Sequence, residues 1–566
     1  MNLGWMFHTL KGRMPAGLIN TLKRGVNGRG LFAPVHKCEG SRPALRIRAG
    51  ARWLAGVVAV FGIVLTASAQ PSSPVQAAVA KKVKKSPAAQ SQQKSLGSEV
   101  FGPTNLHKLH LMLSVKEWEA MQNTKGPNPF GRPDSREEAA AITEPGDRDT
   151  HQTGVREFPW AHADLMEEGR TYTNVAVRYK GSFTFMASMG QLKRSFKLEF
   201  DHYDKDAPRF HGLRKFNLHA GIMDPTRVHE ALSYAIFRWG GVAAPRTAFA
   251  EVTLTVPGKY DRELLGLFTL TEQVDKQFLK DRFGDAQGLL MKPQLRGPDY
   301  FGERWDAYKD RYRPHRDPTP QESRQIMEFA SLVNRAGDED FRRQIGSVLE
   351  LEAFLRFLAI NALVVNLDSP LAMPQNYYLY LDVRTHKFTF FPWDLDLGLA
   401  SWPMGGSPED QMNLSLLHPH IGDHKLIDRV LGIPTAKEQY LRLLNELAAG
   451  AFAKQRLLEG VAAIEQTTQK ALAREGQAKA ARHEERGGFG PPGMGMPAPT
   501  PRTFVEKRTE SVAAQLSGKS HGYVPTMPFW PGGGPGGGPG RGPMGPPGGG
   551  PNRPDGPPGP PPPRPW

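Results

Sequence analysis

Short alternations of apolar and polar residues recur through the first half of the chain, and each predicts a half-buried β-strand. Leu109, Leu111 and Leu113 alternate with His110 and Met112, and the stretch 114–121 around Trp118 has the spacing of a short helix. Val175, Val177 and Tyr179 alternate with Ala176 and Arg178. Phe196, Leu198 and Phe200 alternate with Lys197 and Glu199, and together these runs predict two antiparallel strands. Two more strands, 248–255 and 264–271, flank a Pro-Gly turn at 257–258, and 276–283 reads as a helix after them. The clearest helix is predicted over 224–239. Asp224 supplies an N-cap, Pro225 a first-turn residue, and Val228, Ala231, Leu232, Ala235 and Ile236 one apolar face before Gly240-Gly241.

In the second half the period becomes helical, at 326–333, 351–365, 426–449 and 452–481; the stretch 351–365 is apolar nearly all round, which predicts a buried helix. One interruption stands out. The runs 377–381 and 387–391 are aromatic and apolar, and the polar turn 382–386 between them predicts a β-hairpin.

The pattern fails at both ends of the chain and once inside it. With 566 residues and 39% hydrophobic content the chain can bury a sizeable core, but its 60 glycines and 50 prolines must gather somewhere. They gather from about Gly487 onward, so 486–566 is expected to be a disordered Gly/Pro-rich tail. At the other end Arg46, Arg48 and Arg52 lead into the apolar run 53–66 and then Ala67-Ser68-Ala69, the layout of a secretory signal. Export is expected, with cleavage near Ala69 and the product periplasmic, on the cell surface or extracellular; retention as an uncleaved membrane anchor is the alternative. Residues 1–69 thus read as a basic leader with signal, 70–100 as an Ala, Lys, Ser and Gln linker, and 101–485 as the folded domain. The polar stretch 124–155 reads as a surface insertion.

Charge then narrows the partners. The leader carries ten Lys or Arg against Glu39, so it accounts for +9 of the formal +15 and leaves +6. No basic stripe with interleaved aromatics remains, which argues against a nucleic-acid partner. The Lys81, Lys82, Lys84 and Lys85 cluster is a solvated spacer able to touch anionic lipid or wall polymer. The single cysteine, Cys38, lies in the leader, so neither a disulfide framework nor thiolate chemistry is expected of the exported chain.

The candidate chemistry sits at the open end of the hairpin. Asp368 and Asn376 precede its first strand, and Asp394 and Asp396 follow its second, so folding the hairpin brings these four together. Crowded carboxylates repel, and a hard divalent metal is their natural partner. Lys197 projects from the face opposite its apolar neighbours, toward either a ligand or solvent, and Lys193 is the neighbouring candidate. Glu230 lies at the edge of the apolar stripe of its helix. It could pair with Lys197 or be a solvated helix residue. Glu272, at a strand end, is likewise either near a ligand edge or solvated.

Several blocks, in order, resemble the CotH kinase family of spore coat protein H and its secreted bacterial relatives. They are VAVRYKG at 175–181, KRSFKLEF at 193–200, the long block at 212–246, GLFTLTEQVDKQFL at 266–279, QNYYLYLD at 375–382 and FPWDLDLGLA at 391–400. The resemblance spans roughly 109–447. It implies an α+β, atypical protein-kinase-like two-lobed fold, with an antiparallel N-lobe sheet and a largely helical C-lobe. It also implies ATP with Mg²⁺ or Mn²⁺, and transfer of the γ-phosphoryl group to Ser or Thr of a secreted or envelope protein. By the same resemblance Asp368 is the catalytic base, Asn376, Asp394 and Asp396 the metal ligands, and Lys197, Lys193, Glu230 and Glu272 the nucleotide-side residues. The chain also departs from the pattern. No GxGxxG loop precedes Lys197, Gln375 stands where the family usually has His, and 371–374 lengthens the loop before Asn376. A kinase-like scaffold for envelope or coat assembly, weak or inactive in catalysis, is the alternative that these changes leave open.

Overall fold

A computed structural model describes residues 95–124, 157–484 and 498–526. The strands expected in the first half appear as β1 (Leu106–Met112), β3 (Arg170–Tyr179), β4 (Phe196–Glu199), β6 (Thr247–Val256) and β7 (Tyr260–Glu272), and two that were not expected, β2 (Ala161–Glu167) and β5 (Lys215–His219), join them. They close into a seven-stranded barrel in the order β1-β2-β3-β4-β5-β7-β6. Each pairing is antiparallel except β1 with β6, which is parallel, with Leu109 opposite Val252. That one pairing corrects the expectation of a purely antiparallel sheet, because it is what closes the barrel and removes its edges.

Alternation along each strand sorts the side chains into two sets. Val177, Tyr179, Phe196, Leu198, Phe216, Leu218, Phe268 and Leu270 fill one buried apolar core. The intervening positions carry Arg178, opposite Lys197, which is opposite Asn217, with Lys180 and His219 one step further along. The barrel therefore gathers its polar residues on the outer face of β3 to β5.

A second core lies in the helical half. Strands β8 (Leu289–Met291), β9 (Tyr377–Leu381) and β10 (Phe388–Pro392) form a three-stranded antiparallel sheet in the order β10-β9-β8. Tyr377 stacks on Phe390 at 5.5 Å and Tyr378 on Phe391 at 5.3 Å. Phe354 and Phe357 of the buried helix Leu351–Leu363 pack against Phe390. The hairpin expected from the apolar runs is present almost residue for residue.

Four expectations need correction. The helix expected over 224–239 spans His229–Trp239. Its start is delayed because the Asp224 carboxylate accepts the amides of Thr226 and His229, while Arg227 takes φ 62°, a left-handed turn that cannot continue a helix. The helix expected over 426–449 is two, Lys425–Leu431 and Pro434–Ala449, because Gly432 and Pro434 interrupt it. The tail expected to be disordered throughout contains the helix Pro501–Leu516, capped by Thr500 and started by Pro501, with Phe504, Val505 and Val512 buried. Arg508 of that helix is wholly buried and donates to the carbonyls of Ala362, Leu363, Met412 and Leu414, two of them at the C-terminus of Leu351–Leu363. The last residues of the expected linker also belong to the fold, since Arg246 donates to Ser95 and Leu96 and Val100 is buried. The leader, the rest of the linker, nearly all of the 124–155 insertion and the rest of the tail lie outside the described residues.

Candidate functional site

The hairpin converges its two open ends as its geometry requires. The Trp393 amide, just past β10, donates to the Asn376 carbonyl, just before β9, at 3.1 Å. Both exits bend sharply, with Asn376 at φ 62° and Asp394 at φ 55°, a left-handed conformation that Asn and Asp tolerate better than other side chains. The Asp394 amide donates to the Tyr234 hydroxyl at 2.9 Å, which fixes the turn against the helix His229–Trp239.

Asp368 reaches the same place from the other side. The buried helix Leu351–Leu363 ends in a turn where Val365, a β-branched residue, sits at φ 51°; such strain costs on the order of 1–3 kcal/mol and persists only where its surroundings enforce it. Gln375 Nε2 donates to Asp368 Oδ1 at 2.6 Å, and Asn376 Nδ2 donates to Oδ2 at 2.9 Å. Burial pushes the Asp368 carboxyl up, the Asp394 charge adds to this, and the two amides oppose it, leaving it at about 6. Asp396 lies far above the usual carboxylate range, first through burial and then through Asp394, Glu230, Asp368 and Asp224.

The barrel supplies the facing wall. His219 at the end of β5, Glu230 and Asp394 each offer a donor atom within 4.8 Å of the others. His219 Nδ1 donates to Glu230 Oε1 at 2.7 Å, and its Nε2 accepts from Lys180 Nζ at 2.5 Å. Lys180 lies just past β3 with its amine over the Trp393 ring at 5.3 Å, and Lys292 covers the same ring at 5.4 Å. Burial brings the Lys180 amine down to about 8, with Asp394 and Glu230 opposing and Lys292 and Lys197 reinforcing the shift. Acids from the hairpin thus meet three lysines from the barrel side and β8. The acids offer hard oxygen donors and too few cations to neutralise them, which fits a divalent metal.

The family model for CotH kinase protein matches residues 177–490, more than half of the chain. The chain belongs to the CotH kinase family. Comparison with curated proteins gives no match. Every residue of the site just described falls inside the family match, whereas β1, β2 and Arg508 fall outside it.

Within this CotH domain the residues singled out in the sequence separate. Asp368, Asn376, Asp394 and Asp396 are brought together, and Glu230 joins them. Glu230 is buried and bonded through Oε1 to His219, so it is not the solvated helix residue that the sequence left as one alternative. Lys197 is buried on the same barrel face and its charge is felt by Lys180. Lys193 points elsewhere: fully buried, it donates to the Leu267 carbonyl and to Glu475 Oε2. Glu272 is bound by Arg246 and Arg282 and caps the Arg246 amide, so its carboxylate serves the barrel rim. The sequence reading missed Lys180, His219, Tyr234 and Lys292. Lys180 had a signal, since it continues the alternation 175–179 as the next outward position after Arg178.

Proposed function

We propose that this CotH family protein is an atypical protein kinase, with a barrel lobe and a helical lobe, that transfers the γ-phosphoryl group of ATP to Ser or Thr of a secreted or envelope protein. The observation carrying this reading is the meeting of Asp368, Asp394 and Asp396 with Lys180 and the His219–Glu230 pair. Bound ATP with Mg²⁺ or Mn²⁺ would supply the phosphoryl group and the positive charge that the acids lack. Asp394, Asp396 and the Asn376 amide oxygen are the donors suited to the metal, and Lys180 and Lys197 the cations suited to phosphate oxygens.

Asp368 accepts the proton of the attacking hydroxyl. A carboxyl near 6 is ionised at neutral pH yet basic enough for this, and Gln375 and Asn376 hold its orientation. His219 and Glu230 hold the Lys180 amine, and Tyr234 holds the backbone of Asp394. The leader and its signal-like end support an exported site of action. One observation favours the scaffold reading instead: both Asp368 oxygens already accept protein hydrogen bonds.

Mg²⁺-dependent incorporation of labelled γ-phosphate by the purified protein, into itself or a generic basic protein, separates the two. Loss of label in D368A, D394A and K180A, by on the order of 10²-fold or more, is the expected result. A folded wild type saturated with ATP and metal that incorporates none would leave the scaffold reading standing.

A further inference from the structure

A second cluster of ligating side chains lies away from the carboxylate site, where His418-Pro419-His420 precedes the helix Lys425–Leu431. His418, His420 and Asp428 each offer a donor atom within 4.8 Å of the other two. The decisive detail is the hydrogen count at His420, which is 1% exposed. Its Nδ1 lies 2.8 Å from the Gly422 carbonyl and its Nε2 3.0 Å from Asp428 Oδ1. Both neighbours are acceptors, and a neutral imidazole has a single N–H.

Two other histidines show how such rings are normally satisfied. His424 Nδ1 accepts the Ile427 amide and its Nε2 faces the Arg296 carbonyl, one donor and one acceptor, which a neutral ring matches. His107 also faces two acceptors, Glu167 and the Val100 carbonyl. There, against the effect of burial, the Glu167 contact raises the pKa, and protonation resolves the mismatch. His420 differs from His107 in having a second ligating ring beside it, since a His418 nitrogen lies within 4.8 Å of both the His420 ligating atom and an Asp428 oxygen. With the single N–H of a neutral ring spent on Gly422, its Nε2 lone pair faces a carboxylate oxygen, a gap that a cation can fill.

We propose that His418, His420 and Asp428 form a site for a divalent transition-metal ion of the zinc class, with the remaining coordination position open to solvent. A cation between Nε2 and Oδ1 replaces the missing proton. Their 3.0 Å separation is close to the roughly 3.3 Å edge of a tetrahedral ion with bonds of about 2.0–2.1 Å. The supporting contacts are those a ligand set needs: the Gly422 carbonyl selects the Nε2-ligating tautomer, and the His424 amide holds the other Asp428 oxygen at 2.7 Å. Imidazole donors favour zinc-like ions over magnesium, so this site and the carboxylate site differ in the metal they select.

Occupancy would also brace the loop that carries Asp368. The Ile421 amide donates to the Leu371 carbonyl, and Arg296 donates to the carbonyls of Pro370, Leu371 and Ile421. The proposal stands whether or not the chain is an active kinase.

Calorimetric titration of chelator-treated full-length protein with Zn²⁺, beside H418A, D428N and D394N, tests it, with Co²⁺ absorption as a report of coordination geometry. His418 and Asp428 are partly exposed, so their variants should fold. The expected result is one zinc-binding event retained in D394N and weakened by on the order of 10–100-fold or more in H418A and D428N. Zinc affinity unchanged in H418A and D428N, binding lost only in D394N, or no binding by folded wild type would overturn the proposal.

Discussion

Two buried charge clusters border the 224–227 turn, one through Arg227 and the other through Asp224, and their balance differs. Around Glu475 a single carboxylate accepts from Lys193, Arg227, Lys479 and the Leu267 amide. Burial alone would raise its pKa, yet the three cations hold it at about 2. Gly266 makes room for this joint: it sits at φ 126°, a conformation that other residues adopt only with strain, and a Cβ there would fall 2.6 Å from the Glu475 carboxyl carbon and displace it. Burial by itself drives Lys193 toward its neutral amine, but its contacts with Glu475 and the Leu267 carbonyl describe the charged pair, and that is the form we assign. Around Asp394 the proportions reverse, and Asp396 feels four other acids. The first cluster is a closed joint between the barrel and the helix Lys454–Ala481; the second is a receptive one, stable only because its acids can protonate or meet a cation.

The largest effect should come from opening the closed joint. E475Q leaves Lys193 and Arg227 buried without a counter-charge and should cost roughly 3–5 kcal/mol in urea unfolding. An unchanged midpoint would remove the distinction between the clusters.

Acid should act on the two sites with opposite sign. Glu475, depressed from 4.5 to about 2, contributes stability that is present above the unfolded value and lost as pH falls through the folded one. Asp368, raised from 3.8 to about 6, binds its proton more readily in the folded chain, so its burial weakens the fold as pH rises from 3.8 through about 6. In chelator, D368N should flatten the stability profile between pH 6 and 4, and E475Q between 4.5 and 2, each by up to roughly 3 kcal/mol. Profiles that move together would contradict this.

Magnesium should stabilise the receptive cluster alone. At a hundredfold excess over its Kd the gain is about 2.7 kcal/mol, seen as a higher Tm in wild type and E475Q but absent in D394N. The smallest expected change is in D396N without metal, where removing one acid should raise stability by about 1–2 kcal/mol. A destabilised D396N would mean that the four acids do not repel as their positions imply.

Much of this was legible in one dimension. The hairpin β9–β10 and the gathering of Asp368, Asn376, Asp394 and Asp396 at its open end follow from period-two runs and a polar turn, because a hairpin closes locally. The buried helix Leu351–Leu363 was legible for the same reason, being apolar all round. The place of His219 beside Glu230 was not. Helical periodicity marks Glu230 as an edge position but is silent on which strand faces it, and the barrel puts His219 there, with Lys180 behind it. The helix Pro501–Leu516 was hidden by composition averaged over its Gly/Pro neighbours, although Thr500-Pro501 and the spacing of Phe504, Val505, Arg508 and Val512 form a start signal and a buried face.

By itself the amino-acid sequence determined five of the seven barrel strands, the hairpin, its cluster of acids and the CotH resemblance, since each depends on residues close together or on short blocks. Tertiary structure alone decided the closure of the barrel through β1 and β6, and the choice of Glu475 for Lys193 and of His219 for Glu230. It also decided the use of Arg508 to bind the carbonyls at the end of Leu351–Leu363. These contacts join residues from 11 to 282 positions apart, and local propensity carries no information about which distant surface a buried charge will meet.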